Sequence, residues 1–170
     1  MMTSSVRNSD SFQVTTPSDQ EIRLTRLFDA PRQLVFEAMT KPEHVKKWWG
    51  QLGEGYSVPV CEIDLRPGGS WRFVNRHPKG EAVFYGEYRE ITRPSRLVFT
   101  EIFEPYPDTV TVVTAEFTEE AGKTRLTTTV QYPSKQVRDM VAASGMEKGA
   151  GISYDRLEEV VAGMEEQASR

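Results

Sequence analysis

Thiols and imidazoles are scarce in this chain of 170 residues: one cysteine, Cys61, and two histidines, His44 and His77. A lone cysteine excludes an internal disulfide and fits a reducing compartment. So few soft ligands leave no cluster with zinc-ligand spacing, and neither a metal nor another cofactor is expected. No apolar run approaches the roughly 18 residues needed to span a membrane. There is no excess of basic residues: net charge is −4 with the signs interspersed, which argues against a nucleic-acid partner. The opening stretch, MMTSSVRNSDS, lacks the apolar core of a secretory signal, so the cytoplasm is the expected location. Gly53-Glu54-Gly55 lacks the rest of any phosphate-cradling fingerprint, and nothing marks a nucleophile elbow.

What is present describes a globular domain, with 38% hydrophobic and 27% charged residues. Residues 1–11 are small and polar and are expected to form a disordered tail, with one domain over 12–167. Thr16-Pro17-Ser18-Asp19 reads as a turn and Glu21 to Arg26 as a strand. Asp29 is an expected N-cap for a short helix carrying Leu34, Val35 and Ala38. A second short helix starts near Thr40 and Pro42, carries Val45, Trp48 and Trp49, and stops at Gly50. From Val58 the hydrophobic period changes to two, and six strands follow, joined by short turns that favour antiparallel pairing. Arg66-Pro67-Gly68-Gly69 has the residues of a type II turn.

The last stretch organises the rest. Met146, Ala150, Tyr154, Leu157, Val161 and Met164 recur at spacings of four, four, three, four and three, one apolar stripe on a helix. Asp155, Arg156, Glu158, Glu159 and Glu165 fall mainly off the stripe and are expected to face water. Gly149, Ala150 and Gly151 make the start of the stripe small, which suits a close neighbour or open space. The sheet has one apolar face and this helix one apolar stripe, so each is expected to bury the other, an α+β arrangement.

Four segments resemble a known family: Phe28-Asp29-Ala30-Pro31 with Val35-Phe36-Glu37-Ala38; Pro42-Glu43-His44 with Trp48-Trp49-Gly50; Asp64 to Gly69; and Gly86-Glu87-Tyr88 running to Leu97-Val98-Phe99-Thr100. Over residues 12–165 the chain resembles the START-like superfamily, which includes polyketide cyclases and birch-pollen allergens. Within it, the chain resembles bacterial relatives of the activator of the ninety-kilodalton heat-shock ATPase. The resemblance implies a helix-grip fold: a curved antiparallel sheet around a long C-terminal helix, with two short helices after the first strand and a cavity between sheet and helix. It implies binding of a small, largely apolar molecule there. The alternatives are a co-chaperone-like interaction module, with a chaperone or a homodimer as partner, and a cyclase or hydrolase using the same cavity. Nothing here corresponds to the additional N-terminal domain of the full-length co-chaperone, so binding is the expected role.

The candidate cavity wall is Trp48, Trp71, Phe73, Phe84, Tyr88, Phe99, Phe103 and Phe117, with Met146, Ala150 and Tyr154 from the helix. Period two puts the strand aromatics on the inner face with Cys61, Ile63 and Val130. Tyr88 or Tyr154 is the expected polar handle. No catalytic residue is identified. Glu62, Glu101 and Glu116 are expected to enter the interior only if the strand phase slips by one residue.

Overall fold

The computed structural model describes residues 8–169. Eight strands form one antiparallel sheet: β1 (Gln13–Ser18), β2 (Glu21–Phe28), β3 (Ser57–Ile63), β4 (Ser70–His77), β5 (Gly80–Thr92), β6 (Arg96–Phe103), β7 (Thr111–Glu120) and β8 (Lys123–Gln131), in the spatial order β1-β2-β8-β7-β6-β5-β4-β3. The meander from β3 to β8 is the expected one. It closes onto β2, where Phe28 pairs with Thr124 and Glu21 with Gln131. Four helices complete the domain: α1 (Arg32–Thr40), α2 (Pro42–Trp48), α3 (Lys135–Ala142) and α4 (Met146–Ala168). This is the helix-grip arrangement: a curved open sheet, short helices early in the chain and a long last helix.

The N-terminal end differs from expectation. Gln13–Ser18 is a strand, so the sheet gains a member and the short helices follow the second strand. Pro17 is tolerated because β1 is an edge and pairs on one side only. Asn8–Ser11 form a 3₁₀ turn against α4; the rest of the expected tail, residues 1–7, lies outside the described residues. Asp29 does not cap α1. The N-cap is Pro31, and the Asp29 backbone N–H donates to the Glu158 carboxylate at 3.0 Å.

Pro42, Gly50 and the Gly68 turn act as read, and Ser134 and Gly145 add helix ends not singled out in the sequence. Pro42 occupies the first turn of α2, and Gly50 follows the helix with φ +64°. Ser134 caps α3 by accepting from the Val137 N–H at 3.2 Å. Gly145, at φ +85°, separates α3 from α4. Gly68 has φ +82°, and the Gly69 N–H donates to the Arg66 carbonyl at 2.8 Å, which makes Arg66–Gly69 a type II turn.

Two buried clusters fill the interior. The larger joins α1 and α4 to the β2–β8–β7 part of the sheet, with Phe28, Val35, Phe117, Leu126, Leu157 and Val161 almost wholly buried. The smaller contains Val45, Trp71, Phe73 and Tyr88. Trp49, Leu65, Ile91 and Phe99 pack against both clusters, and all four keep accessible surface.

Candidate functional site on the inner face of the sheet

β6 runs through the middle of the sheet, and its inner face carries Leu97, Phe99, Glu101 and Phe103. The register fixes that face: Leu97 pairs with Ala115, Phe99 with Val113 and Glu101 with Thr111, and all three partners are buried residues of β7. Leu97 and Val113 are buried, so the backbone of these central strands is well covered. Phe99 and Glu101 nevertheless keep accessible surface. Glu101 is half-buried, and its surroundings desolvate the carboxyl enough to push it upward. Glu101 is thus shielded from bulk water and still keeps accessible surface. Thr128 and Val130 on β8, and Met146 and Ala150 at the start of α4, are likewise partly accessible.

Glu101 therefore enters the interior without any slip of phase, which corrects the expectation. Residues 99, 101 and 103 have the same parity, so a strand that turns Phe99 and Phe103 inward also turns Glu101 inward. The signal was in the sequence, masked by the usual exposure of carboxylates. Glu62 and Glu116 are exposed.

The β5–β6 ladder keeps one register past Glu101 and shifts only between Tyr88 and Glu90. The pairings Tyr85–Ile102 and Tyr88–Phe99 put Gly86 of β5 opposite Glu101. A Cβ on Gly86 would lie 1.9 Å from the Thr100 carbonyl oxygen and 2.8 Å from Trp71 Nε1, so only glycine fits. The Thr100 carbonyl accepts from the Trp71 indole N–H at 3.0 Å, and the Glu87 N–H donates to the Thr100 hydroxyl at 3.0 Å. On the other side the Thr111 hydroxyl donates to the Glu101 main-chain carbonyl at 3.0 Å. The Glu101 carboxyl itself has no hydrogen-bond or ionic partner among the described residues, and burial pushes it up to about 7. Burial, and then the neighbouring Glu101 charge, push the Tyr132 hydroxyl above the ordinary tyrosine range.

The expected wall residues divide into three groups. Trp48, Phe117 and Tyr154 belong to the larger filled cluster. Trp48 Nε1 donates to the Ala38 carbonyl at 2.9 Å, and the Tyr154 hydroxyl is 3.1 Å from that of Thr128. Trp71, Phe73 and Tyr88 form the smaller cluster, where burial pushes the Tyr88 hydroxyl upward. Phe84, Phe99, Phe103, Met146 and Ala150 keep accessible surface. Phe99 touches both Trp71 and Tyr88, with ring centroids 5.8 and 5.9 Å apart, and Phe84 stacks on Phe103 at 4.9 Å. Trp49, not named with the wall, meets Phe73 and Phe84 edge-on at 5.0 and 5.3 Å. Periodicity cannot rank two adjacent tryptophans at the end of a short helix. Tyr132, Thr111 and Thr128 also escaped notice, since threonines on a strand look like ordinary strand formers.

Cys61 faces Phe73 across β3–β4, and burial pushes its thiol up to about 11, which leaves it unreactive near neutrality. Among the described residues no three His, Cys, Asp or Glu side chains are grouped to hold a metal, and no helix is long and apolar enough to cross a membrane. Two clefts open elsewhere. One, of about 510 Å³, lies beside Glu62, Arg72, Tyr85 and Glu104; the other, of about 630 Å³, lies against α3 at Lys135, Asp139 and Met140. Neither is lined by Phe99, Glu101 or the start of α4.

Comparison with solved structures supports this architecture. A protein of Rhodobacter sphaeroides superposes with a TM-score of 0.81 at 26% identity, over 89% of this chain and 98% of that one. Protein Ms6760 of Mycobacterium smegmatis gives 0.77 at 26% identity, over 87% and 94% of the two chains. Protein NE0264 of Nitrosomonas europaea gives 0.75 at 26%, over 87% and 97%. No curated protein matches the sequence. The family model described as "Activator of Hsp90 ATPase homolog 1-like protein" matches residues 29–162, which span α1 to most of α4 and include the whole inner face around Glu101. With that match, the chain belongs to the family of Activator of Hsp90 ATPase homolog 1-like proteins, within the START-like superfamily.

Proposed function

We propose that this chain is a cytoplasmic small-molecule-binding domain whose ligand, small and largely apolar, occupies the hollow between the inner sheet face and the start of α4. The observation that carries the reading is that Glu101 is desolvated yet keeps accessible surface, beside Phe99, which packs against both clusters and also keeps surface. Ligand sites are concave, mostly apolar and fitted with a few polar groups. Phe99, Val130, Met146 and Ala150 supply the apolar wall, and Glu101 and Tyr132 the polar points.

The test uses a neutral, environment-sensitive apolar fluorophore. Trp49 and Trp71 adjoin the site, so binding should change tryptophan emission saturably and raise the melting temperature. Ala150→Leu extends a side chain into the hollow and should remove binding while the variant folds as the parent does. If no probe saturates and Ala150→Leu is destabilised by about 1–3 kcal/mol, the interior there is close-packed and the reading fails.

One observation favours a second reading, a protein-interaction module. Phe103, Tyr106 and Val110 are large apolar residues around the β6–β7 connection, with 36%, 59% and 39% of their surface exposed. Such patches mark contact surfaces. Replacing Tyr106 and Val110 by serine should leave fluorophore binding intact; loss of a pulled-down chaperone in that variant, with no fluorophore binding in the parent, would favour the module.

A further inference from the structure

We propose that the hollow selects apolar amines, with the Glu101 carboxylate receiving the ligand's protonated nitrogen. The inference rests on the ligand-binding reading above and adds the chemical class of the ligand.

A carboxyl among apolar groups is costly unless it is paired. The protein does not pair this one. Across β5 stands Gly86, which has no side chain, and across β7 stands Thr111, whose hydroxyl is turned to the main chain. Tyr132 follows β8, and burial and the Glu101 charge keep its hydroxyl protonated, so it offers no positive charge. From the helices, Val137 and Val141 of α3 and Met146 and Ala150 of α4 reach the core. None of these groups is a lysine, arginine or histidine. Phe99 and Phe103 stand on either side of Glu101 along the same face of β6, and ring faces attract cations. An anionic ligand would meet an uncompensated like charge. A neutral one would leave the carboxylate desolvated and unpaired. A ligand with an apolar body and one ammonium group satisfies both the wall and the carboxylate.

The pH dependence follows. Burial pushes the empty-site carboxyl up to about 7, and a bound cation favours its ionised form. Amine binding therefore releases protons near neutrality and tightens from pH 5.5 to 8. A neutral ligand, which favours the protonated carboxyl, shows the opposite trend or none.

The experiment is titration calorimetry with three molecules sharing one flat body: 1-naphthylmethylamine, 1-naphthalenemethanol and 1-naphthaleneacetate. At pH 8 the amine should bind roughly 10- to 100-fold tighter than the alcohol, the range of one charge-assisted hydrogen bond, and the acetate weakest. In Glu101→Gln the amine-to-alcohol ratio should fall to near one. Two buffers of different ionisation heat should report proton release on amine binding at pH 7. If the alcohol binds and the amine does not exceed it, amine selection is overturned while the binding site stands. If none of the three binds, the binding reading itself has failed. Should Glu101→Gln not fold, the parent decides alone: an amine affinity that is flat or falls between pH 5.5 and 8 overturns the proposal.

Discussion

Glu101 is a stability switch as well as a candidate recognition group. Its carboxyl ordinarily titrates at 4.5, and in the fold burial raises that to about 7. Between those values the folded state holds the proton more tightly than the unfolded chain. Stability contributed by the protonated form is therefore complete below about pH 4.5 and is lost as pH rises through about 7. Glutamine keeps the shape and does not titrate. Glu101→Gln should match the parent at pH 4 and exceed it at pH 8 by up to about 3 kcal/mol, read from urea melts at both pH values. An equal difference at both pH values would mean that the carboxyl is ordinarily solvated. Glu158 is a second residue whose role depends on its surroundings. Its oxygens accept from Asn8 Nδ2 at 2.6 Å and the Asp29 N–H at 3.0 Å, and lie 3.4 Å from Arg26 Nη1. The helical stripe puts Glu158 on the wet side, so its replacement by alanine would be expected to cost almost nothing. With these partners and a buried Arg26, Glu158→Ala should instead destabilise by about 1–3 kcal/mol in denaturant melts.

At the scale of elements, α4 and the Arg66–Gly69 turn carry opposite lessons about glycine. Leu157 is completely buried in the middle of the α4 stripe, so Leu157→Ala should cost about 2–5 kcal/mol. Gly163 lies in the same helix, and a Cβ there meets nothing within 4 Å. Gly163→Ala should stabilise the protein by about 0.5–1 kcal/mol, and thermal melts of the two variants should move in opposite directions. Gly149 and Gly151 are neither open nor strained: added Cβ atoms would lie 3.6 Å from Leu52 and 3.5 Å from Phe12, ordinary contacts. Alanine would fit at either position, in contact with side chains from distant parts of the chain. In the turn, Gly68 needs conformational freedom at φ +82° but has open space, whereas a Cβ on Gly69 would lie 2.0 Å from the Asp64 carbonyl oxygen. Gly68→Ala should cost about 1–2 kcal/mol. Gly69→Ala should cost more, because main-chain atoms must move, and equal costs in melts would show that the turn relaxes freely.

At the scale of the whole molecule, the interior is built from two packing centres, and the proposed site lies where they meet. One is built by α1 and α4 on the β2–β8–β7 side, the other by α2 and the aromatics of β4 and β5. Arg26 helps hold α4 over the first of these. It is buried on β2, lies 4.6 Å over the Phe28 ring, and meets Asp155 at 2.9 Å and Glu158 at 3.4 Å. That contact ties the middle of α4 to the sheet, while Met146 and Ala150 in its first turns keep accessible surface. What the sequence determined by itself is whatever depends on near neighbours: the period-two strands, the 3.6-residue stripe of α4, the Gly68 turn, the stop at Gly50, and even the inward parity of Glu101. These follow from backbone sterics and from which residues recur within a few positions. Only the tertiary structure decided that Gln13–Ser18 joins the sheet, that Arg26 and Glu158 meet, that Trp49 rather than Trp48 adjoins the aromatic wall, and that Phe99 remains accessible. Each of these is a distance between residues far apart in the chain. Such distances are set by how the volumes of two layers fit together, and local hydrophobic pattern carries no measure of that fit.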